Sequence, residues 1–129
     1  MFKNLVNILE YIRNTKNHWI VQKYIEMPLI IKNLKFDIRQ WVVISDLAPL
    51  TIWFFDECYI RFGAETYDIN NLNKKFAHLT NNSIVKHSSD FGKRIAGCMW
   101  EEKQLVRYLL VLLTQSYLVF KGKRRNRYL

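Results

Sequence analysis

Between residues 35 and 62 the chain carries three runs rich in β-branched and aromatic side chains, separated only by short turn signals, and this stretch restricts the fold more than any other. Residues 35–45 form the clearest strand. Asp46-Leu47-Ala48-Pro49 supplies turn chemistry, and residues 50–55 return as the partner strand of a hairpin. Asp56-Glu57 is expected to turn the chain once more into residues 58–62, giving a three-stranded antiparallel meander. Side chains alternate faces along a strand, so Lys35, Asp37 and Arg39 share one side while Phe36, Ile38, Val42 and Ile44 share the other. The expected ribbon has one charged face and one apolar face.

The flanks supply the covering layers. Phe2, Leu5, Ile8, Leu9 and Ile12 recur at helical spacing and predict an amphipathic helix over residues 2–13, ending near Asn14. Residues 19–25 and 29–32 have strand composition, interrupted by Pro28, and predict two short strands. Residues 63–75 are polar and rich in Asn, residues 88–97 form another loop, and residues 100–120 have helical character. This order predicts an α+β layer in which one sheet face is covered and the other is open to a ligand.

With 129 residues the chain is one small domain or a piece of a larger one. Half the residues are hydrophobic and only 4 Gly and 2 Pro occur, which excludes a disordered linker, a collagen-like chain and a Pro-rich adaptor. The net charge of +9 points to anionic partners, though Lys121, Lys123, Arg124, Arg125 and Arg127 crowd into the basic end. That end carries no recognised nucleic-acid module, so nucleic acid is not an expected partner. Cys58 and Cys98 have neither zinc-ligand nor redox spacing, and a reducing cytosol is the default compartment. The N-terminal segment lacks the features of a signal peptide. The longest apolar stretch falls short of the roughly 18–20 residues of a membrane span. Walker, dinucleotide-fold and nucleophile-elbow motifs are absent.

Same-face residues of a strand stand about 7 Å apart, so a Lys-Asp-Arg row can hold itself in partial ion pairs and still offer cations to a polyphosphate. A solvent-facing sheet surface of alternating charge fits the same row. Arg61 shares a face with Glu57 and Tyr59 and is expected to reach toward Arg39; two arginine forks suit a carboxylate or an acyl phosphate. A surface pairing with Asp56 or Glu65 is the other outcome for Arg61. His78, Thr80, Asn81, Asn82 and Ser83 gather hydrogen-bonding groups that suit a ribose, a phosphate or a metal-bound water, or equally a plain turn or helix cap. His18 and His87 stand alone.

Five phrases, Trp19-Ile-Val-Gln-Lys-Tyr-Ile-Glu26, Lys35-Phe-Asp-Ile-Arg-Gln-Trp41, Pro49-Leu-Thr-Ile-Trp-Phe-Phe55, Tyr59-Ile-Arg-Phe62 and His78-Leu-Thr-Asn-Asn-Ser83, resemble the tubulin tyrosine ligase-like family in wording and order. The resemblance covers roughly residues 18–88 and is nearest to the glycylase branch, which attaches glycine to glutamate side chains of tubulin tails. It implies a partial ATP-grasp-like fold: a central antiparallel β-meander flanked by N- and C-terminal helices. It also implies one partial domain made of an N-terminal helix (residues 1–17), a central segment (18–88) and a divergent helical and basic end (89–129).

Carried onto this chain, the resemblance makes Gln22, Lys23, Tyr24 and Ile25 the hinge beside the adenine, and makes Lys35, Asp37, Thr80 and Asn81 nucleotide contacts. Arg39 resembles the arginine near the transferred phosphate and reacting carboxylate, and Arg61 the one that holds the incoming amino acid. ATP and magnesium are the implied cofactors. Tubulin or microtubules, met through acidic tails, are the implied partners, in the cytoplasm, on the cytoskeleton or in a cilium or axoneme. The family's magnesium-binding acidic segment has no counterpart after Ser88, so no metal ligand is assigned, and the chain is expected to be the middle of an enzyme. A non-catalytic remnant that binds acidic tails by charge is the alternative expectation.

Overall fold

The computed structural model describes residues 4–125, with the backbone alone considered beyond residue 116. The far end of the basic run, Arg127 included, and residues 2 and 3 of the expected first helix lie outside the described residues. Helix α1 runs Leu5–Arg13, and the side chain of its N-cap, Asn4, accepts the Asn7 N–H at 2.9 Å, while Asn14 closes the helix. The sequence reading therefore located this helix and its end correctly.

Four antiparallel strands form one sheet in the order β1-β2-β3-β4: β1 Ile30–Ile31, β2 Leu34–Leu47, β3 Leu50–Phe62 and β4 Met99–Glu101. Two one-turn helices, α2 Lys75–His78 and α3 Asn82–Val85, and a 3-10 turn at Ala96–Cys98 lead to β4. Helix α4, Glu102–Arg125, follows directly. The architecture is α+β, with helices flanking an antiparallel sheet, and is consistent with a partial ATP-grasp-like fold.

Two strand expectations change. Residues 19–25 form no strand, because β1 takes only Ile30 and Ile31 and, among the described residues, no strand pairs with the earlier segment. The expected three-stranded meander is instead one long hairpin: residues 50–55 and 58–62 are a single strand, β3. Asp56-Glu57 does not turn the chain. Gln40 pairs with Cys58 and Val42 with Phe54, so β3 carries its extra residues there as a bulge opposite Trp41. The Gln40 carboxamide donates to the Phe55 carbonyl at 2.6 Å and to the Trp41 carbonyl at 3.2 Å, which satisfies backbone acceptors that the bulge leaves unpaired. The sheet gains its outer strands from β1 and from β4, three residues that precede the expected C-terminal helix.

The apolar face of the hairpin builds the core. Ile31, Leu34, Ile60 and Phe62 are buried against Val85, Ile95 and Leu105. An aromatic series crosses the layers: Phe36 to Phe62 with centroids 5.8 Å apart, Phe62 edge-on to Trp100 at 4.9 Å, and Trp100 to Tyr108 of α4 at 5.5 Å. Beyond Gln40 and Cys58 the hairpin leaves this core, and Trp41, Trp53, Phe54 and Phe55 are exposed.

Gly63 shapes the other face. A Cβ at this position would stand 2.9 Å from the Phe76 carbonyl oxygen and 3.3 Å from that of Ala77, so only glycine lets residues 76–80 lie this close to the end of β3. The contact is fastened by the Gly63 N–H to the Lys35 carbonyl and the Ala64 N–H to the Phe76 carbonyl, both at 2.9 Å. As a result His78 and Thr80 are carried over the charged face of β2.

Candidate functional site

Strand register assembles the charged face. Asp37 lies directly opposite Arg61, and Arg39 opposite Tyr59, so both arginines project from the side that bears Lys35 and Asp37. Asp37 is the centre of the cluster. Arg61 donates through Nε to Oδ1 at 2.9 Å and through Nη2 to Oδ2 at 2.5 Å, and the Thr80 hydroxyl donates to Oδ2 at 2.9 Å. Burial opposes ionisation of Asp37, but the hydrogen bonds from Arg61 and Thr80, with the charges of Arg61 and Arg39, outweigh it and hold the carboxyl below its usual range. The hydrogen bonding to Asp37 raises Arg61 in turn.

Arg61 shares the face of Arg39, and its partner there is Asp37. Its fork is engaged by Asp37 and not by Asp56 or Glu65, and the Lys-Asp-Arg row does not pair along its own strand. Arg39 forms no ion pair among the described residues; it is exposed, with its guanidinium carbon 5.2 Å from the centre of the Trp41 ring. The most available cation of the face is therefore Arg39.

Beside the cluster runs an open groove of about 940 Å³, lined by Gln22, Lys23, Tyr24, Ile25 and Lys35, with α1 and residues Ile69 and Leu72 forming apolar walls. Among the described residues, no backbone hydrogen bond to another main-chain group engages residues 20–25, which leaves their N–H and C=O groups available along the groove. The volume falls in the range of sites for small-molecule ligands. Lys35 reaches in from β2: its ammonium donates to the Tyr24 hydroxyl at 3.1 Å and lies 4.3 Å from the centre of the Tyr24 ring. Burial pulls Lys35 below the ordinary lysine range, partly offset by Tyr67 and Asp37.

The structure thus brings eight sequence-predicted residues into two adjoining groups, Gln22 to Ile25 with Lys35, and Asp37 with Arg61 and Thr80. Lys23 points to solvent and pairs loosely with Glu26 at 3.8 Å. Asn81 is exposed at the N-cap of α3 and makes no side-chain capping bond there. From sequence alone His78 is expected only as one of a polar cluster suited to a ligand or a turn, and Tyr67 carries no expectation. Tyr67 donates to the Glu26 carbonyl at 2.6 Å, and burial above all pushes its hydroxyl up to about 12. Among the described residues no three His, Cys, Asp or Glu side chains gather as a candidate metal site.

The chain is 46% identical over 125 residues to tubulin glycylase 3D of Tetrahymena thermophila, an alignment that covers 95% of this chain and 12% of that protein. It is 44% identical over 125 residues to tubulin glycylase 3C of the same organism, with the same coverage. It is 46% identical over 95 residues to the tubulin monoglycylase TTLL3 of Danio rerio, covering 70% of this chain and 12% of that one. The chain thus spans about an eighth of the length of the curated relatives it matches. The sequence pattern of the tubulin-tyrosine ligase family matches residues 1–119, which extends the likeness beyond residues 18–88 to helix α1 and most of α4. A match over that share of its length means that the chain belongs to the tubulin-tyrosine ligase family.

Proposed function

We propose that these residues are the nucleotide hinge and anion-binding face of an ATP-dependent ligase that joins glycine to glutamate side chains of tubulin tails. They form one part of a larger ATP-grasp domain, acting on the cytoskeleton or in a cilium. The observation that carries this reading is the adjacency of an apolar groove with an unpaired backbone edge to a sheet face bearing Lys35, Arg39 and the Asp37–Arg61 pair. Relatives described as tubulin glycylases give the amino acid and the protein substrate.

The groove residues Gln22 to Ile25 would hold the base, and Lys35 would meet the phosphates. Transfer of the terminal phosphoryl group to a glutamate carboxylate gives an acyl phosphate and ADP. Attack by the amine of glycine then forms the amide, releasing inorganic phosphate and a proton. In the first step negative charge is shared between the attacking carboxylate and the transferred phosphoryl oxygens, and in the second it develops on the acyl oxygen; Arg39, with no ion-pair partner among the described residues, is a fixed cation available to both. Asp37 holds Arg61 in a bidentate grip, which orients that guanidinium for a second carboxylate.

Binding of ATP by the chain and by its Lys35→Ala, Arg39→Ala double variant tests the site: the double variant should bind at least tenfold more weakly, since each lost contact to a charged group is worth about 1.5–3 kcal/mol. Equal binding would refute the nucleotide site. Mass spectrometry of tubulin tails after co-expression with the full-length parent tests the activity, and the absence of added glycine would refute it.

A further inference from the structure

His78 is 2% exposed, and neither the nucleotide groove nor the Asp37 cluster accounts for it. Its ring sits between two tyrosines, edge-on to Tyr24 with centroids 5.7 Å apart and to Tyr67 at 5.3 Å. Its Nε2 is 3.0 Å from the Asn71 carbonyl oxygen and its Nδ1 is 2.8 Å from the Tyr24 hydroxyl. The directions at the two ends of this series follow from chemistry alone. A carbonyl only accepts, so Nε2 carries the proton. An ammonium only donates, so the Tyr24 oxygen accepts from Lys35. The Tyr24 hydroxyl keeps one proton to give, and the contact at 2.8 Å places His78 Nδ1 to receive it when that nitrogen is bare.

We propose that His78 is a positioning residue for the groove: by taking the Tyr24 proton it turns the Tyr24 oxygen lone pairs toward Lys35, and so holds that ammonium at the mouth of the site. Without this acceptor the hydroxyl is free to rotate away from the orientation that turns its lone pairs toward Lys35. The same tyrosine offers its ring face to the ammonium at 4.3 Å, so fixing Tyr24 fixes both contacts of the cation. Residues 76–80 are anchored through Gly63, and they bring His78 to Tyr24 across 54 residues of sequence. The consequence for ligand binding rests on the groove being a nucleotide site; the hydrogen-bond direction does not.

The test uses the full chain and ATP as the probe, with affinities measured by calorimetry. His78→Leu should weaken ATP binding about tenfold, the size of a lost hydrogen bond to a charged group. His78→Asn, which returns an oxygen to the place of Nδ1, should recover binding to within about threefold, as expected where only that acceptor is needed. In a Lys35→Met background His78→Leu should change affinity less than about twofold, because its effect passes through Lys35. A tenfold further loss there would overturn the proposal, since a residue that merely supports the core acts whether or not Lys35 is present. If the wild-type chain binds no ATP, it is the nucleotide site that fails. Nitrogen-15 NMR of the imidazole then decides the positioning claim by itself, as it does if His78→Leu does not fold. A neutral ring protonated at Nε2 upholds it, and one protonated at Nδ1 overturns it.

Discussion

Replacing Asp37 by Asn tests the geometry of the charged face directly. Three donors converge on this carboxylate: Arg61 Nε, Arg61 Nη2 and the Thr80 hydroxyl. Thr80 can reverse its hydroxyl and accept from the new amide, but Arg61 cannot accept, so either orientation of the carboxamide leaves one guanidinium N–H facing an NH₂ group. The substitution therefore removes one charge-assisted hydrogen bond and weakens the other. In a buried setting this costs several kcal/mol; here the two side chains are 38% and 21% exposed, and solvent screening reduces the expected loss to about 1–2 kcal/mol at pH 7. For a chain of this size that lowers Tm by roughly 3–10 °C.

The pH dependence gives the sharper reading. The carboxyl of Asp37 is held below its usual range in the folded chain, so the folded state binds its proton less readily than the unfolded state. The stabilisation is complete above the unfolded value of about 3.9 and is lost as pH falls through the lower, folded value. Asn has no such limb. Urea midpoints taken from pH 7 downward should show the wild-type and variant chains separated at neutral pH and converging below about pH 4. A separation that is absent at pH 7, or that persists unchanged at pH 3, would refute the assignment of the Asp37–Arg61–Thr80 cluster as a stabilising unit.

Three further outcomes follow from the same structure. Gly63→Ala should cost about 1–3 kcal/mol in thermal or urea denaturation, because its methyl group meets the Phe76 carbonyl at 2.9 Å and the obstacle is backbone; an unchanged midpoint would mean that residues 76–80 do not pack as described. Phe62→Ala should cost about 3–5 kcal/mol, since this ring is fully buried and touches both Phe36 and Trp100. A loss under about 1 kcal/mol would move the core elsewhere. Arg39→Ala should leave the urea midpoint almost unchanged, within about 0.5 kcal/mol, as the side chain is exposed and has no ion-pair partner among the described residues; a larger loss would assign Arg39 to the scaffold and not to ligand binding.

Much of this was legible in the order of residues. Alternation along residues 35–45 dictates that Lys35, Asp37 and Arg39 share a face, and the spacing of Leu5, Ile8, Leu9 and Ile12 dictates an amphipathic helix, since both follow from backbone periods that hold wherever the segment sits. The five family phrases identified the lineage in the same way, through wording that needs no coordinates. Local rules failed where pairing decided the outcome. Asp56-Glu57 looks like a turn, yet the ladder to β2 continues past it and converts it into a bulge, with Gln40 satisfying the exposed carbonyls. Residues 19–25 have strand composition but no strand beside them, and they line a groove instead.

Which cation stays available and which is tied down was decided only by the tertiary structure. Register sets Arg61 opposite Asp37 and leaves Arg39 without an ion pair among the described residues, and the close approach at Gly63 carries Thr80 to Asp37 and His78 to Tyr24. Periodicity tells a side chain which way to point, because it is a property of one segment. What the side chain meets there depends on residues 24 to 54 positions away, and a distance of that kind is set by packing and not by sequence spacing.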